Sequence, residues 1–169
     1  MRDGQWTQSP SRRRLQTAVG AGTLAAVAGC QADAADDTTP ITLADQPFGP
    51  GDRITLERLG GFDDGAPGGS AGLGMHAVFS GSAALLARSE RDRVADAIDV
   101  GPDHDTSPTY YGSVATDIPE DFLVSDNDGS RTSVTVDIPG AATHLFVAAK
   151  DNLFGDNAGN DYHLGLTAV

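Results

Sequence analysis

Short runs of alternating apolar and polar residues, separated by turn sequences, are the feature that most limits the folds open to this chain. Thr132 to Ile138 alternates most clearly, and Arg53 to Glu57 and Tyr162 to Val169 follow the same pattern. Asp121 to Val124 and Thr143 to Ala149 are mostly apolar and short enough for buried strands. A period of two places alternate side chains on one buried face, and the intervening Gly, Pro, Asp and Asn favour turns. We therefore predict an all-β domain, an antiparallel β-sandwich or barrel.

Two segments between these strands do not alternate. Leu85 to Val100 fits one short helix, but its charged middle fits a turn equally well. The Gly-rich stretch 59–74 is the longest without a strand pattern, and long loops on rigid sandwiches often carry function. We expect His76 and His104 to lie in loops, where a histidine is able to contact a ligand.

The first thirty residues have the layout of an export signal. A basic head contains Arg12 and Arg13, a weakly apolar stretch covers 15–28, and small residues precede Cys30. The apolar stretch is shorter than the roughly 20 strongly apolar residues that a membrane span needs. The alternative is a cytoplasmic helix with a chance cysteine. A lipid on Cys30 would explain why the chain has one cysteine and no partner for a disulfide.

The paired arginines resemble a twin-arginine signal, and Val27-Ala28-Gly29-Cys30 resembles a lipobox, as in a haloarchaeal lipoprotein. The resemblance implies cleavage before the cysteine, lipid attachment to it, and a location at the extracellular face of the cell membrane. Firm anchoring would need two lipid chains, because one gives only marginal binding. We predict a signal peptide at 1–29, a lipidated flexible tether at 30–39 and one β-sandwich domain at 40–169.

The segment 30–169 is strongly acidic. It contains 23 Asp and Glu against 7 Lys and Arg, a net charge close to −16, and Lys150 is its single lysine. Such a composition resembles proteins of salt-loving archaea, since high salt screens the mutual repulsion of carboxylates. It argues against nucleic acid as a partner, because phosphate neutralisation requires clustered Lys and Arg. Calcium binding is a second, compatible explanation for the acidic residues.

Asp, Asn and Gly recur in the segment from Lys150 to Gly159. Calcium takes about six to eight oxygen ligands from carboxylates, amide carbonyls and backbone carbonyls, and one loop is able to supply most of them. The same residue types are the commonest turn formers, so spacing alone leaves a solvated turn equally open.

The run Asp-Asn-x-x-Gly-Asp-Asn-x-Gly in this segment resembles the calcium loop of galactose-binding bacterial lectins of the PA-I type. It is also similar to jelly-roll, galactose-binding-domain-like modules of exported surface proteins. The likeness extends to Pro50 to Leu56, to 60–65 and to Ala84 to Arg88, which resembles a middle strand of the lectins. It implies a jelly-roll fold and calcium as cofactor. The calcium ligands that it implies are the side chains of Asp151, Asp156 and Asn157 and backbone carbonyls at Leu153 and at or near Asp64.

This chain departs from the lectin pattern at three points. The early loop position is Asp64 where the lectins have an aromatic residue, the calcium loop is two residues shorter, and the mature segment has no Trp to stack on a sugar.

The acidic run 125–130 has no Glu at the closing position of an EF-hand, and we expect a hairpin turn there.

Two functions remain open at this stage. The first is a calcium-dependent binding module for carbohydrate or a cell-surface glycan, with His76, Asp151 and Asn157 as ligand contacts. The second is a structural surface lipoprotein in which calcium only stabilises loops. We identify no positioned acid, base or nucleophile, so no catalytic residue is predicted and the chain is expected not to be an enzyme.

Overall fold

The fold was analysed in a computed structural model, which describes residues 26–27, 40–63, 71–86, 94–104, 110–111, 114–115, 118–150 and 162–169. In chain order the strands are β1 (Ala26–Val27), β2 (Ile41–Thr42), β3 (Arg53–Leu59), β4 (Phe62–Asp63), β5 (Ala71–Gly72), β6 (Met75–Ser80), β7 (Ala97–Ile98), β8 (Tyr110–Tyr111), β9 (Val114–Ala115), β10 (Phe122–Ser125), β11 (Ser133–Asp137), β12 (His144–Ala149) and β13 (His163–Ala168). A short 3₁₀ helix, Leu43–Asp45, is the one helix in this described part of the chain.

The strands form an antiparallel β-sandwich, which confirms the predicted fold class. One sheet has the order β1-β13-β3-β11, and the other has the order β10-β6-β12-β2, with β7 also paired to β6. Two short hairpins, β4-β5 and β8-β9, lie outside these sheets. Each of the five segments with strand patterns forms a strand, namely β3, β10, β11, β12 and β13, although β3 and β10 extend one or two residues beyond the predicted segments.

The core lies between the two sheets and follows the alternation of the sequence. In β3, Ile54 and Leu56 are fully buried, and in β13 Leu164 and Leu166 point into the same interior. The opposite sheet contributes apolar side chains from β6, β10 and β12. Because apolar surface removed from water contributes about 25 cal/mol per Å², this shared face is what holds the sheets together.

The strand β6 was missed by the sequence pattern, because it is buried on both faces. Its inner face belongs to the core, and its outer residue Val78 packs in a second cluster with Val94, Ile118 and Phe146. All six residues are therefore buried, and no alternation remains. The prediction that His76 lies in a loop is wrong, since it lies inside this strand.

Two other expectations need correction. The stretch 59–74 is not free of strands, since it contains the end of β3 and the hairpin β4-β5. The lectin-like strand at Ala84 to Arg88 is not present over its described part, where Leu85 forms one isolated bridge to Val94. That bridge and β7 show that the described part of 85–100 is not helical, and the charged middle, where a turn was the alternative, lies outside the described residues.

Strand registers bring one set of connections to a single end of the sandwich. Met75 at the start of β6 lies opposite Ala149 at the end of β12 and Ser125 at the end of β10. In the other sheet, Leu59 at the end of β3 pairs with His163 at the start of β13. The described residues that flank the connections 60–74, 126–132 and 150–162 thus lie at one end, which we call the loop end.

The chain crosses between sheets at the loop end. The segment 126–132 joins β10 to β11, and 150–162 joins β12 to β13. The acidic run 125–130 therefore forms a turn, as expected, but this turn connects the two sheets and is not a hairpin.

At the edge beside β13, Ala26 and Val27 pair with Leu164 and His163. None of the helical structure in the described ranges has the length and apolar character of a membrane-spanning helix.

Candidate functional site

The predicted calcium ligands fall in two segments, 64–70 and 151–161. These segments lie outside the described residues, and so do Arg12, Arg13 and Cys30. The roles predicted for them remain predictions. The residues that flank both segments are described, however, and they meet at the loop end.

Gly74, directly before β6, connects both flanks of segment 151–161. Its carbonyl oxygen accepts a hydrogen bond from the backbone N–H of Lys150 at 2.8 Å. The same oxygen accepts a second bond from the hydroxyl of Tyr162 at 2.6 Å, although Tyr162 directly precedes β13 of the other sheet. The Gly74 carbonyl therefore binds the residue before segment 151–161 and the residue after it.

The flanks of segment 64–70 lie against the same site. The Phe62 ring, two residues before Asp64, packs edge-on against the Tyr162 ring with centroids 4.9 Å apart. On the other side, Gly72 faces the Phe62 ring so closely that a Cβ atom there would clash with it. Phe62 and Tyr162 are both 2% exposed. Both flanks of segment 64–70 and the residue that follows segment 151–161 thus meet at one packed aromatic pair.

Gly74 also has no room for a side chain. A Cβ atom at this position would lie 2.6 Å from the Cβ of Lys150 and would overlap the side-chain amide of Asn127. A contact under about 3 Å is not compatible with normal packing, so an alanine would force the strands apart. Glycine is required at this junction for space, which no local sequence pattern indicated.

The acidic turn 126–131 is tied to Gly74 through Asn127, whose Oδ1 accepts the Gly74 N–H at 2.7 Å. Within the turn, Asp126 accepts the backbone N–H of Arg131 and the hydroxyl hydrogen of Ser130. The Arg131 N–H, followed by the Ser130 hydroxyl, lowers the pKa of Asp126 to about 2. These carboxylate bonds stabilise the turn itself.

A buried histidine–aspartate pair lies on the outer face of the β6 sheet. The Nδ1 atom of His76 and the Oδ2 atom of Asp121 are 3.4 Å apart, with side chains 5% and 2% exposed. Register explains the pairing, because β10 lies beside β6 with Leu123 opposite His76. Such burial gives no support to a direct ligand contact by His76. Sequence reasoning missed the pair because its members are far apart in the chain.

A cavity of about 410 Å³ lies at the other end of the sandwich. Its walls are neutral or apolar apart from one histidine, and it is lined by Thr42, Leu43, Ala44, Gln46, Phe48, Gly49, Pro50, Ala142, Thr143 and His144. It includes none of the predicted site residues, and it has no carboxylate to hold a cation. It therefore adds nothing to the calcium hypothesis.

Within the described ranges, no three His, Cys, Asp or Glu side chains converge to hold a metal ion. A calcium site at the loop end would thus depend on the oxygens of 64–70 and 151–161. Comparisons with protein-family models, curated proteins and solved structures found no match to this chain.

Proposed function

We propose that this protein is a lipid-anchored, extracellular β-sandwich that binds calcium in its loop end and uses the bound ion to contact a carbohydrate. The observation that carries the proposal is the double hydrogen bond to the Gly74 carbonyl. It supports a calcium loop between Lys150 and Tyr162, because the Lys150 N–H and the Tyr162 hydroxyl bind one atom. A segment with fixed ends loses less entropy when its oxygens converge on an ion.

The packing of Phe62 on Tyr162 supports a shared site with segment 64–70. Asp64 would then supply one carbonyl from outside the main loop. Asp151, Asp156, Asn157 and the Leu153 carbonyl would supply the remaining protein oxygens. Sugar hydroxyl pairs would replace water on the open positions of the ion and donate hydrogen bonds to Asp151 and Asn157.

The signal-like N-terminus supports the location at the membrane. Removal of residues 1–29 would also remove β1, so that β13 would become the edge of its sheet in the mature protein. The competing function is a structural surface lipoprotein in which calcium holds the loop end together and no sugar binds. Loop-end packing is compatible with both, since both need the ion.

The experiment is calorimetric titration of calcium into the domain 40–169, at molar potassium chloride to screen non-specific attraction. Asp151→Ala and Asp156→Ala should each weaken binding by orders of magnitude. The matched control is Asp137→Ala, which removes an exposed carboxylate at the opposite end of β11. Equal small losses in all three variants, or no saturable binding to the unchanged protein, would contradict the site.

A glycan panel probed with and without calcium then separates the two functions. Calcium-dependent retention of a glycan that Asp151→Ala abolishes supports the binding module. Saturable calcium binding with no glycan retained favours the structural function.

A further inference from the structure

The strand β13 lies at a sheet edge that β1 covers only in part. β1 pairs with residues 163–164, at the start of β13, while β13 itself runs on to Ala168. Within the described part of the chain, residues 165–168 therefore have no strand beside them on this side. Removal of residues 1–29, as in the proposed function, would uncover the whole edge.

One hydrogen bond shows which backbone groups face this edge. The N–H of Val169 donates to the Arg53 carbonyl at 3.0 Å, so residue 169 turns its backbone groups toward β3. Successive residues of a strand turn these groups to opposite sides. The N–H and C=O groups of Leu164, Leu166 and Ala168 therefore point away from β3, toward β1 and the open edge.

The other described edges of the two large sheets have features that hinder pairing with another chain. β2 and β7 have two residues each, β10 has a register shift between Leu123 and Ser125, and β11 ends at the exposed, charged Asp137. Short strands, irregular pairing and charged residues are common protections of a sheet edge. β13 has six residues and contains no Lys, Arg, Asp, Glu or Pro. It lacks these protections, and only β1 covers part of its edge.

We propose that two copies of the mature chain pair antiparallel through β13, which joins their two sheets into one continuous sheet. A two-fold axis at Leu166 places Leu164 opposite Ala168 of the partner subunit. In this register every residue that faces the edge meets another that does, and the buried leucines stay on the core side of the joined sheet. The acidic surface of each copy opposes association, so the dimer forms in molar salt, which screens that repulsion.

β1 occupies the start of the same edge, so the uncleaved signal segment keeps the chain monomeric. This inference goes beyond calcium and carbohydrate binding. It rests on the proposed function only for the removal of residues 1–29, and the test supplies that removal directly.

The test compares chain 30–169 with chain 1–169, both with Cys30→Ser so that neither a lipid nor a disulfide joins two copies. The residues of the main core cluster lie between Leu43 and Leu166, so the shorter chain retains that core. Mass is measured by sedimentation equilibrium over a range of protein concentrations in molar potassium chloride. Chain 30–169 should approach twice its monomer mass as its concentration rises, and chain 1–169 should remain monomeric.

The variant Ala168→Pro, made in chain 30–169, locates the contact. It removes an N–H that faces the edge and leaves the hydrogen bonds to β3 in place, and residue 168 is exposed. The matched control is Ser133→Pro in β11, at the opposite edge of the same sheet. Residue 133 is also exposed, and its N–H faces away from β3 because the neighbouring Thr132 carbonyl accepts the Arg58 N–H.

We expect Ala168→Pro to weaken dimerisation by about tenfold or more, and Ser133→Pro to leave it within about twofold of the unchanged chain. Melting temperatures of both variants are measured beside the mass, so that a loss of folding is recognised.

Four outcomes would overturn the inference. If chain 30–169 is monomeric at every concentration, the dimer is refuted and the calcium proposal is unaffected. Equal weakening by Ala168→Pro and Ser133→Pro would show that the contact is not at β13. If chain 1–169 dimerises as strongly as chain 30–169, β1 does not block the edge. If chain 40–169 dimerises and chain 30–169 does not, residues 30–39 prevent the pairing, and the mature chain is not a dimer.

Discussion

Removing either member of the buried pair His76–Asp121 should destabilise the domain more than removing both. With Nδ1 and Oδ2 3.4 Å apart, the attraction at an effective dielectric constant of about 20 is about 5 kcal/mol when the imidazole is protonated. Desolvation of two buried charged groups costs several kcal/mol per group, so the net contribution of the intact pair is small. Losing one member should therefore destabilise the domain strongly, although the intact pair contributes little net free energy to folding.

We expect Asp121→Ala and His76→Ala each to lower the free energy of unfolding by about 3 kcal/mol. Removing one member of a buried ion pair costs about 3–5 kcal/mol, and we take the lower end of this range. The double variant removes both members of the pair. It should therefore cost no more than the larger single change, which gives a coupling energy of at least about 3 kcal/mol.

The assay is equilibrium urea unfolding of the unchanged protein, the two single variants and the double variant in molar potassium chloride. The dependence of the free energy of unfolding on urea concentration is checked for two-state behaviour. Thr135→Ala is a useful reference, because its hydroxyl bonds that of Thr55 on a partly exposed face remote from the pair. If the two single changes add to within about 0.5 kcal/mol of the double variant, the side chains do not act as a pair.

Three further predictions concern charge and anchoring. Because its pKa is lowered, ionised Asp126 should stabilise the fold above pH 3.8, and this contribution should disappear as the pH falls toward 2. The free energy of unfolding of Asp126→Asn, measured against pH, should therefore converge on that of the unchanged protein between these two pH values. Lowering salt from molar to about 0.1 M should reduce the melting temperature, because carboxylate repulsion then acts over about 10 Å; an unchanged melting temperature would remove the high-salt argument. Cys30→Ser should release the exported protein from the membrane fraction, and retention of this variant in that fraction would contradict lipid anchoring.

Local sequence patterns were sufficient to predict the strands that have one solvent-exposed face. In β3, β11 and β13, apolar residues alternate with polar ones because only alternate side chains reach the core. The turn at 126–131 was also predictable, since Asp, Asn and Gly form turns through their own local hydrogen bonds, and Gly129 has a positive φ of 75°. Such features depend on neighbours in the chain, so the sequence determines them by itself.

Features that depend on distant segments required the tertiary structure. β6 does not alternate, because the second cluster covers its outer face, and that cluster forms only when Val94 and Ile118 fold over the sheet. The pairing of β10 with β6 brings Asp121 to His76, and no local pattern encodes that meeting.

The loop end shows the same division. The composition between Lys150 and Gly159 left a calcium loop and a solvated turn equally open, and the resemblance to lectins then favoured a calcium loop, which stays a prediction. Only the packing of the two sheets brings Tyr162 to Gly74, so that the residues on both sides of this segment bind one carbonyl. A hydrogen bond between residues 88 positions apart has no local signal, because its geometry exists only after the sheets have packed.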